Sequence, residues 1–183
     1  MPKWSEIHTI IFDFDGVFTD NKVWIDQYGR ESVRCDRGDG LAFDLLRGFI
    51  AKNAWDLKYF ILSKEKNPVV SERASKMQVE CLQDVSEKTK FIQDYLESAS
   101  LKFKNPSAGL LYIGNDLNDF GAMKLSGFSV APSDAHPLIQ SIADIVIPVK
   151  GGEGFVRSFI ERLLRIDKLS NEDIEELFKI DKE

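Results

Sequence analysis

The stretch Phe12-Asp13-Phe14-Asp15-Gly16-Val17-Phe18-Thr19-Asp20 follows directly on the apolar run of residues 7–12. On an extended chain residues i and i+2 point to the same side, so Asp13 and Asp15 converge on one small volume at a strand end. There they repel each other unless a cation or a proton intervenes. Gly16 lets the backbone turn sharply just beyond them. A lone Asp-x-Asp often closes a strand in a polar loop. The full nine-residue string behind a buried strand is how a magnesium-assisted nucleophile and acid are built. Asp13 is the expected nucleophile, attacking phosphorus through its carboxylate, and Asp15 the expected general acid.

Outward from this string, apolar runs of strand length alternate with helix-like segments. Residues 7–14, 57–62, 79–82, 110–113, 128–130 and 145–147 read as strands. Residues 41–50, 68–77, 86–98, 119–125 and 137–143 carry apolar positions at helical spacing. This alternation, with nearly continuous apolar strands, predicts an α/β fold: a parallel sheet with helices on both faces. Ligands of such sheets bind beyond the carboxyl ends of the strands. Asp13, Ser63 and the Asn115/Asp116 pair fall at such ends, and Lys88 follows the short third strand.

Residues 17–36 break the alternation. Val23-Trp24-Ile25 and Ser32-Val33-Arg34-Cys35 flank the turn-rich Asp26-Gln27-Tyr28-Gly29, which predicts a β-hairpin inserted after the nucleophile loop. A hairpin there is placed to cover the site as a flap or to pair with another subunit. Carrying an exposed Trp24 it is marginal alone, so burial in an oligomer is expected. The chain divides into one domain over residues 1–165 and a charged, helical tail over 166–183, with Ser170 as N-cap and Asp173 three residues on.

The 183 residues suffice for a real core, and 43% apolar with 30% charged residues is the profile of an ordinary soluble protein. With 30 acidic against 24 basic residues, net charge −6, a nucleic-acid surface is disfavoured. A small anionic substrate needs only a local cationic pocket. No apolar stretch approaches membrane-spanning length, and Met-Pro-Lys-Trp-Ser-Glu does not read as a signal peptide. Cys35 and Cys81 follow no disulfide or metal spacing. The expected setting is the cytoplasm, away from membranes.

Ser63 and the amides after it are placed to hold a phosphate oxygen. Lys88 would supply a fixed positive charge on the transferring group. Gly114-Asn115-Asp116-Leu117-Asn118-Asp119 is a polar cluster between a buried strand and a helix. His8 and His136 invite no catalytic role. Gly151-Gly152-Glu153-Gly154 reads as a flexible loop able to approach substrate.

Together these residues resemble the haloacid dehalogenase superfamily of phosphohydrolases. Asp13 to Val17 is similar to its first motif, Ser63 to its second, Lys88 to its third and residues 114–119 to its fourth. The hairpin in place of a large cap domain narrows the match. So do Arg37-Gly38-Asp39-Gly40-Leu41, Asp134-Ala135-His136-Pro137 and Gly151-Gly152-Glu153-Gly154-Phe155-Val156-Arg157. This set resembles the 3-deoxy-D-manno-octulosonate 8-phosphate (KDO 8-phosphate) phosphatase family. Its relatives include phosphatases of nine-carbon keto-deoxy-nononate and acylneuraminate 9-phosphates and the C-terminal domain of acylneuraminate cytidylyltransferase, proteins of KDO or sialic acid biosynthesis. The resemblance covers roughly residues 7–165. It implies a Rossmann-like fold and a homotetramer in which neighbours complete each substrate site. It implies Mg2+ held by the Asp13 carboxylate, the Asp15 backbone carbonyl and the residue after Gly114. Asp119 would orient that loop from behind, and Gly16, Asp39 and Gly40 would stand among the substrate contacts.

Two departures matter. The family usually has Asp where this chain has Asn115; an amide oxygen ligates magnesium without charge, which leaves Asp116 as the alternative ligand. The eight-carbon phosphatases carry Thr-Gly-Arg where this chain has Ser63-Lys64-Glu65, and Glu65 cannot pair with a substrate carboxylate. The nine-carbon relatives resemble the chain at Glu65, Arg73 and Lys76, the last two being i,i+3 neighbours on one helix face. The expected function is a magnesium-dependent phosphatase of a phosphorylated 2-keto-3-deoxy sugar acid, with a nine-carbon substrate slightly favoured. The eight-carbon phosphatase is the alternative. A weakly active or non-catalytic oligomerisation module is the third reading, motivated by Asn115.

Overall fold

The computed structural model describes residues 1–180; residues 181–183, the end of the charged tail, lie outside the described residues. Six parallel strands form the sheet: β1 (Thr9–Phe12), β4 (Lys58–Leu62), β5 (Glu80–Leu82), β6 (Leu110–Ile113), β7 (Phe128–Pro132) and β8 (Ile145–Ile147). Their order is β5-β4-β1-β6-β7-β8. The central strand β1 is buried along its whole length, and its period of two splits the core. Ile10 and Phe12 face one layer with Ile61, Leu111 and Ile113. Ile11 faces the other with Phe60, Leu62, Leu110 and Tyr112.

Helices α1 (Gly38–Asn53), α2 (Pro68–Met77), α6 (Phe155–Leu164) and α7 (Asn171–Ile180) supply the first layer through Phe43, Ala74, Phe159 and Leu177. Helices α3 (Lys88–Ala99), α4 (Phe120–Leu125) and α5 (Pro137–Ile142) supply the second through Ile92, Met123 and Ile139. The Rossmann-like parallel sheet with helices on both faces is therefore as expected. The chain leaves β1 toward β4 and β5, then crosses back to β6 on the other side. That reversal opens a crevice at the carboxyl ends of β1 and β6.

Two helices differ from the sequence reading. α1 begins at Gly38, three residues before the expected start and across two glycines; its N-cap, Arg37, gives no side-chain cap, and the Asp36 carboxylate before it accepts the Gly38 N–H at 2.6 Å. α6 was not expected at all. Its stripe of Phe155, Val156, Phe159, Ile160, Leu163 and Leu164 is wholly buried, an amphipathic pattern standing directly behind the glycine-rich loop.

The hairpin is present after the nucleophile loop. β2 (Trp24–Ile25) pairs antiparallel with β3 (Glu31–Ser32), and Thr19 bridges Cys35 at its root. Asp26 closes the turn, accepting the Tyr28 and Arg30 N–H groups, and Gly29 sits at φ +75°. Val23, Trp24, Ile25 and Tyr28 are 52–74% exposed. Among the described residues no helix is long and apolar enough to cross a membrane.

In the tail, Ser170 caps α7 by accepting the Asp173 N–H at 3.1 Å, while the Asp173 carboxylate receives the Ser170 hydroxyl at 2.9 Å. α7 lies on α1, with Leu177 buried against Gly48 and Lys52 bridging Asp173 and Glu176. A Cβ on Gly48 would stand 2.1 Å from the Leu177 carbonyl oxygen. Gly48→Ala is expected to push α7 off α1 and cost about 1–3 kcal/mol. Denaturant melts and faster amide exchange confined first to residues 171–179 would show it; unchanged exchange there would refute the packing argument.

Candidate active site

Parallel strands bring sequence-distant residues to one edge. Asp13 follows β1, Ser63 follows β4, Lys88 opens α3 beyond β5, and Asn115 lies two residues beyond β6. Three of them, Asp13, Ser63 and Asn115, line a cavity of about 310 Å³ whose wall also includes Asp15, Glu65 and Asp116. Lys88 is not part of that wall: it lies behind Asp13, only 2% exposed.

The Lys88 ammonium donates to Asp13 Oδ1 at 2.5 Å and to Asp119 Oδ1 at 2.8 Å. Asp119 is fully buried and uses both oxygens. Its Oδ1 also receives the Tyr112 hydroxyl at 2.8 Å, and its Oδ2 receives the N–H groups of Asn115 at 3.0 Å and Asp116 at 3.3 Å. Asp119 thus fixes both the lysine and the loop that carries Asn115. The expected orienting role for Asp119 fits this geometry. Tyr112 escaped the sequence reading, since inside an apolar strand it is indistinguishable from a core aromatic.

Burial, with the Asp119 charge, pushes the Asp13 carboxyl up to about 8 against the pull of Lys88. Burial alone would lower the Lys88 ammonium, yet Asp13 and Asp119 together raise it, so it stays charged. Asp15 is raised by burial and then by the nearby Glu65, the direction wanted of a proton donor. Thr19 is fully buried and holds Asp15 in place. Its hydroxyl donates to Asp15 Oδ1 at 3.4 Å and accepts the N–H groups of Gly16 at 3.1 Å and Asn21 at 3.2 Å. Ser63 is buried, its Oγ accepting the Glu65 N–H at 3.1 Å.

Among the described residues no three His, Cys, Asp or Glu side chains are grouped to hold a metal ion. The donor set is of another kind. The buried Asn115 Oδ1 has no hydrogen-bond partner, an orphan acceptor on the same cavity wall as Asp13. The Asp116 carboxylate is engaged elsewhere, accepting the Leu117 N–H at 2.7 Å as the cap of a 3₁₀ turn. The residues fit a hard divalent cation, with Asn115 and Asp116 both on the cavity wall. Gly16 permits this: at φ +78°, a Cβ there would fall 1.8 Å from Asn115 Nδ2.

Other expected site residues stand apart. Asp39 lies in the first turn of α1, fully buried, accepting the Arg157 N–H at 2.9 Å. Gly40 is beside Arg73, whose guanidinium donates to the Asp36 carbonyl at 2.7 Å. Lys76 points into solvent on α2. None of Asp39, Gly40, Arg73 and Lys76 lines the cavity of its own chain. The glycine-rich loop does not approach the cavity either. It backs the nucleophile loop, where a Cβ on Gly151 would meet the Gly16 carbonyl oxygen at 1.9 Å.

Comparison with known proteins agrees with the architecture. The profile of the haloacid dehalogenase-like hydrolase family matches residues 49–159. The 3-deoxy-D-manno-octulosonate 8-phosphate phosphatase of Escherichia coli (strain B / BL21-DE3) is 32% identical over 165 residues, 90% of this chain and 82% of that enzyme. A HAD family hydrolase from Streptomyces avermitilis superposes with a TM-score of 0.80 at 34% identity, covering 94% of each chain. The cobalt-bound deoxy-D-mannose-octulosonate 8-phosphate phosphatase of Haemophilus influenzae superposes with a TM-score of 0.73 at 25% identity, over 90% of this chain and 91% of that one. The chain belongs to the haloacid dehalogenase-like hydrolases, within the octulosonate 8-phosphate phosphatase family, and is a phosphoric monoester hydrolase.

Asp39 yields a test that is independent of turnover. Burial raises its carboxyl from 3.8 to about 7, and its Oδ2 has no partner. The folded state therefore holds the proton more tightly than the unfolded chain, so this group's contribution to stability falls as pH rises from about 4 to about 7. Asp39→Asn keeps an acceptor for the Arg157 N–H and removes the titration. Its stability relative to wild type is expected to rise by on the order of 2–4 kcal/mol between pH 4 and pH 8. Melts at a series of pH values would show parallel curves if the argument were wrong.

Proposed function

We propose that this phosphatase hydrolyses the phosphate ester of a 2-keto-3-deoxy sugar acid, with magnesium as cofactor and the eight-carbon 3-deoxy-D-manno-octulosonate 8-phosphate as first candidate. The observation that carries the reaction type is the Asp13–Lys88–Asp119 network at the wall of a small cavity that also presents Asp15, Ser63 and Asn115. The substrate class is supported by the 32% identity to an octulosonate 8-phosphate phosphatase over 90% of the chain.

Asp13 attacks phosphorus, and the bond from phosphorus to the sugar oxygen breaks as Asp15 protonates that oxygen. Asp15 then takes a proton from the water that hydrolyses the aspartyl-phosphate, returning both carboxyl groups to their starting state. Ser63 and the amides beyond it hold a phosphoryl oxygen. Lys88 fixes the Asp13 carboxylate from behind. The Asp13 carboxylate, the Asp15 carbonyl and the Asn115 amide oxygen would hold magnesium, which when bound would supply positive charge against the negative charge gathering on the phosphoryl group. The divalent metal in the Haemophilus influenzae relative supports this choice of cofactor.

A nine-carbon ester is the second reading, favoured by Glu65 on the cavity wall. Its other support is weaker. Neither Arg73, whose guanidinium donates to the Asp36 carbonyl, nor the exposed Lys76 lines the cavity of its own chain. The reading as a non-catalytic module is opposed by the intact charge network. The exposed Val23, Trp24, Ile25 and Tyr28 support a homotetramer in which neighbours cover the hairpins. Cys35 and Cys81 are both free, in keeping with a cytoplasmic enzyme.

Phosphate release from eight- and nine-carbon sugar acid phosphates, with and without magnesium, tests the reading. The eight-carbon ester should show the higher kcat/KM, and chelation should abolish turnover. Asp13→Asn should lower kcat by about 10³-fold or more; unchanged magnesium-dependent release would end the mechanism. Asn115→Asp adds a charge to the donor set and should tighten magnesium binding, measured by calorimetry without substrate, by about tenfold. Unaltered affinity would exclude residue 115 as a ligand.

A further inference from the structure

Tyr112 is a buried ionisable side chain that does not line the catalytic cavity. It stands in β6 with no exposure, in the apolar layer of Ile11, Phe60, Leu62 and Ile92. A phenol hydroxyl left there without a partner would be destabilising where a phenylalanine would not. The hydroxyl has a partner: it donates to Asp119 Oδ1 at 2.8 Å, the same oxygen that accepts the Lys88 ammonium. Burial, then the Asp119 and Asp13 charges, push the phenol well above its ordinary value, so it keeps its proton and stays a donor.

That shared oxygen sets a balance. An ionised carboxylate offers about four lone-pair sites. Asp119 fills them with the Lys88 ammonium and the Tyr112 hydroxyl on Oδ1 and the N–H groups of Asn115 and Asp116 on Oδ2. The ammonium divides itself between two acids, lying 2.8 Å from Asp119 and 2.5 Å from Asp13, closer to the nucleophile. Without the phenol, Asp119 Oδ1 would keep its charge for the lysine alone. Screening is weak in a buried site, so the ammonium would be drawn toward Asp119 and away from Asp13.

We propose that Tyr112 is a positioning residue for phosphoryl transfer: its hydroxyl satisfies one side of Asp119 Oδ1 and so leaves the Lys88 ammonium on the Asp13 carboxylate. Tyr112 acts through Asp119 and Lys88 and has no contact with substrate. The inference rests on Asp13 as the nucleophile and is independent of which sugar acid is the substrate.

Two variants test it. Tyr112→Phe removes the hydroxyl and keeps the ring. Tyr95→Phe is the control: Tyr95 packs against the same layer, and its hydroxyl shares a hydrogen bond of 2.8 Å with Thr9 Oγ1, away from Asp119. Both are expected to fold and to melt a few degrees below wild type. Turnover is followed with para-nitrophenyl phosphate, whose leaving group needs no acid, and ground-state binding by inhibition with inorganic phosphate. Tyr112→Phe is expected to lower kcat/KM about tenfold, with the phosphate inhibition constant within about twofold of wild type. Tyr95→Phe should change neither. Trifluoroberyllate, which caps an aspartate carboxylate as a phosphoryl mimic, should bind Tyr112→Phe about tenfold more weakly than wild type in calorimetry with magnesium present.

A Tyr112→Phe protein with wild-type kcat/KM and wild-type trifluoroberyllate affinity overturns the proposal and leaves Asp13 standing. So does an equal loss of turnover in both variants, or a loss accounted for by weaker phosphate inhibition. A Tyr112→Phe chain that fails to fold makes the hydroxyl a requirement of the core and overturns it as well. A wild type that takes up no trifluoroberyllate, with Asp13→Asn as active as wild type, removes Asp13 as nucleophile and the role of Tyr112 with it.

Discussion

A lysine almost sealed from water, bonded to two carboxylates, is the constraint on which this molecule's site depends. Removing either carboxylate would leave Lys88 short of a partner in a medium that does not forgive it, a loss of about 3–5 kcal/mol for a broken buried pair. The chain instead satisfies every member. Asp119 receives four hydrogen bonds, two of them from the amides that open the fourth-strand loop. Asp13 is left with burial, a neighbouring negative charge and one ammonium. Its carboxyl is pushed upward as a result. A carboxylate in that state gains from added positive charge, and the Asn115 oxygen on the same cavity wall has no hydrogen-bond partner.

The sheet makes this arrangement cheap to assemble. Every strand end at the crevice is already fixed by ladder hydrogen bonds, such as the Asp13 N–H donating to the Ile113 carbonyl at 2.9 Å. Loops then have only to touch, and glycine decides where they do. Gly16 lets the Asn115 amide lie against the nucleophile loop, and Gly114 makes room for Asp119. Gly151 lets the loop before α6 lie against Gly16. Any side chain at these three places would separate the loops whose contact defines the site. The glycine-rich segment, read from sequence as a flexible element near substrate, instead packs behind the loop that carries Asp13 and Asp15.

Much of this was legible in the chain. The run into Asp13 announced a buried strand, and the alternation of apolar runs with helical periodicity gave the parallel sheet, because a strand covered on both faces has no polar alternation to obscure it. The convergence of Asp13, Ser63, Lys88 and Asn115 followed from strand direction alone. What remained hidden was set by contacts between distant segments. The start of α1 includes two glycines, and the Asp36 carboxylate, from outside the helix, accepts the Gly38 N–H there. α6 is plain as an amphipathic stripe, but the glycines before it drew the eye to a loop. Tyr112 differs from its strand neighbours only by a hydroxyl whose partner lies seven residues on. Periodicity put Arg73 and Lys76 on one face correctly, yet the direction in which an arginine reaches is chosen by the acceptor it meets, here the Asp36 carbonyl.

The hairpin and the nucleophile loop meet at the root of the hairpin. Thr19 accepts two backbone N–H groups and donates to Asp15, and the same residue bridges Cys35 across the base of the hairpin. Arg34, on the returning arm, reaches Asp20 at 3.3 Å and Glu153 of the glycine-rich loop at 3.1 Å. The root is therefore built into the catalytic loop, whereas the tip, with Trp24 and Ile25 bare, has almost nothing of its own chain to rest on. The Asn67 amide on Glu31, at 2.7 Å, is the tie between the outer hairpin and α2. This short ribbon, in place of a large cap domain, carries its apolar side chains exposed on the described chain. Thr19 is thus the residue shared by the base of the hairpin and the loop that carries Asp15.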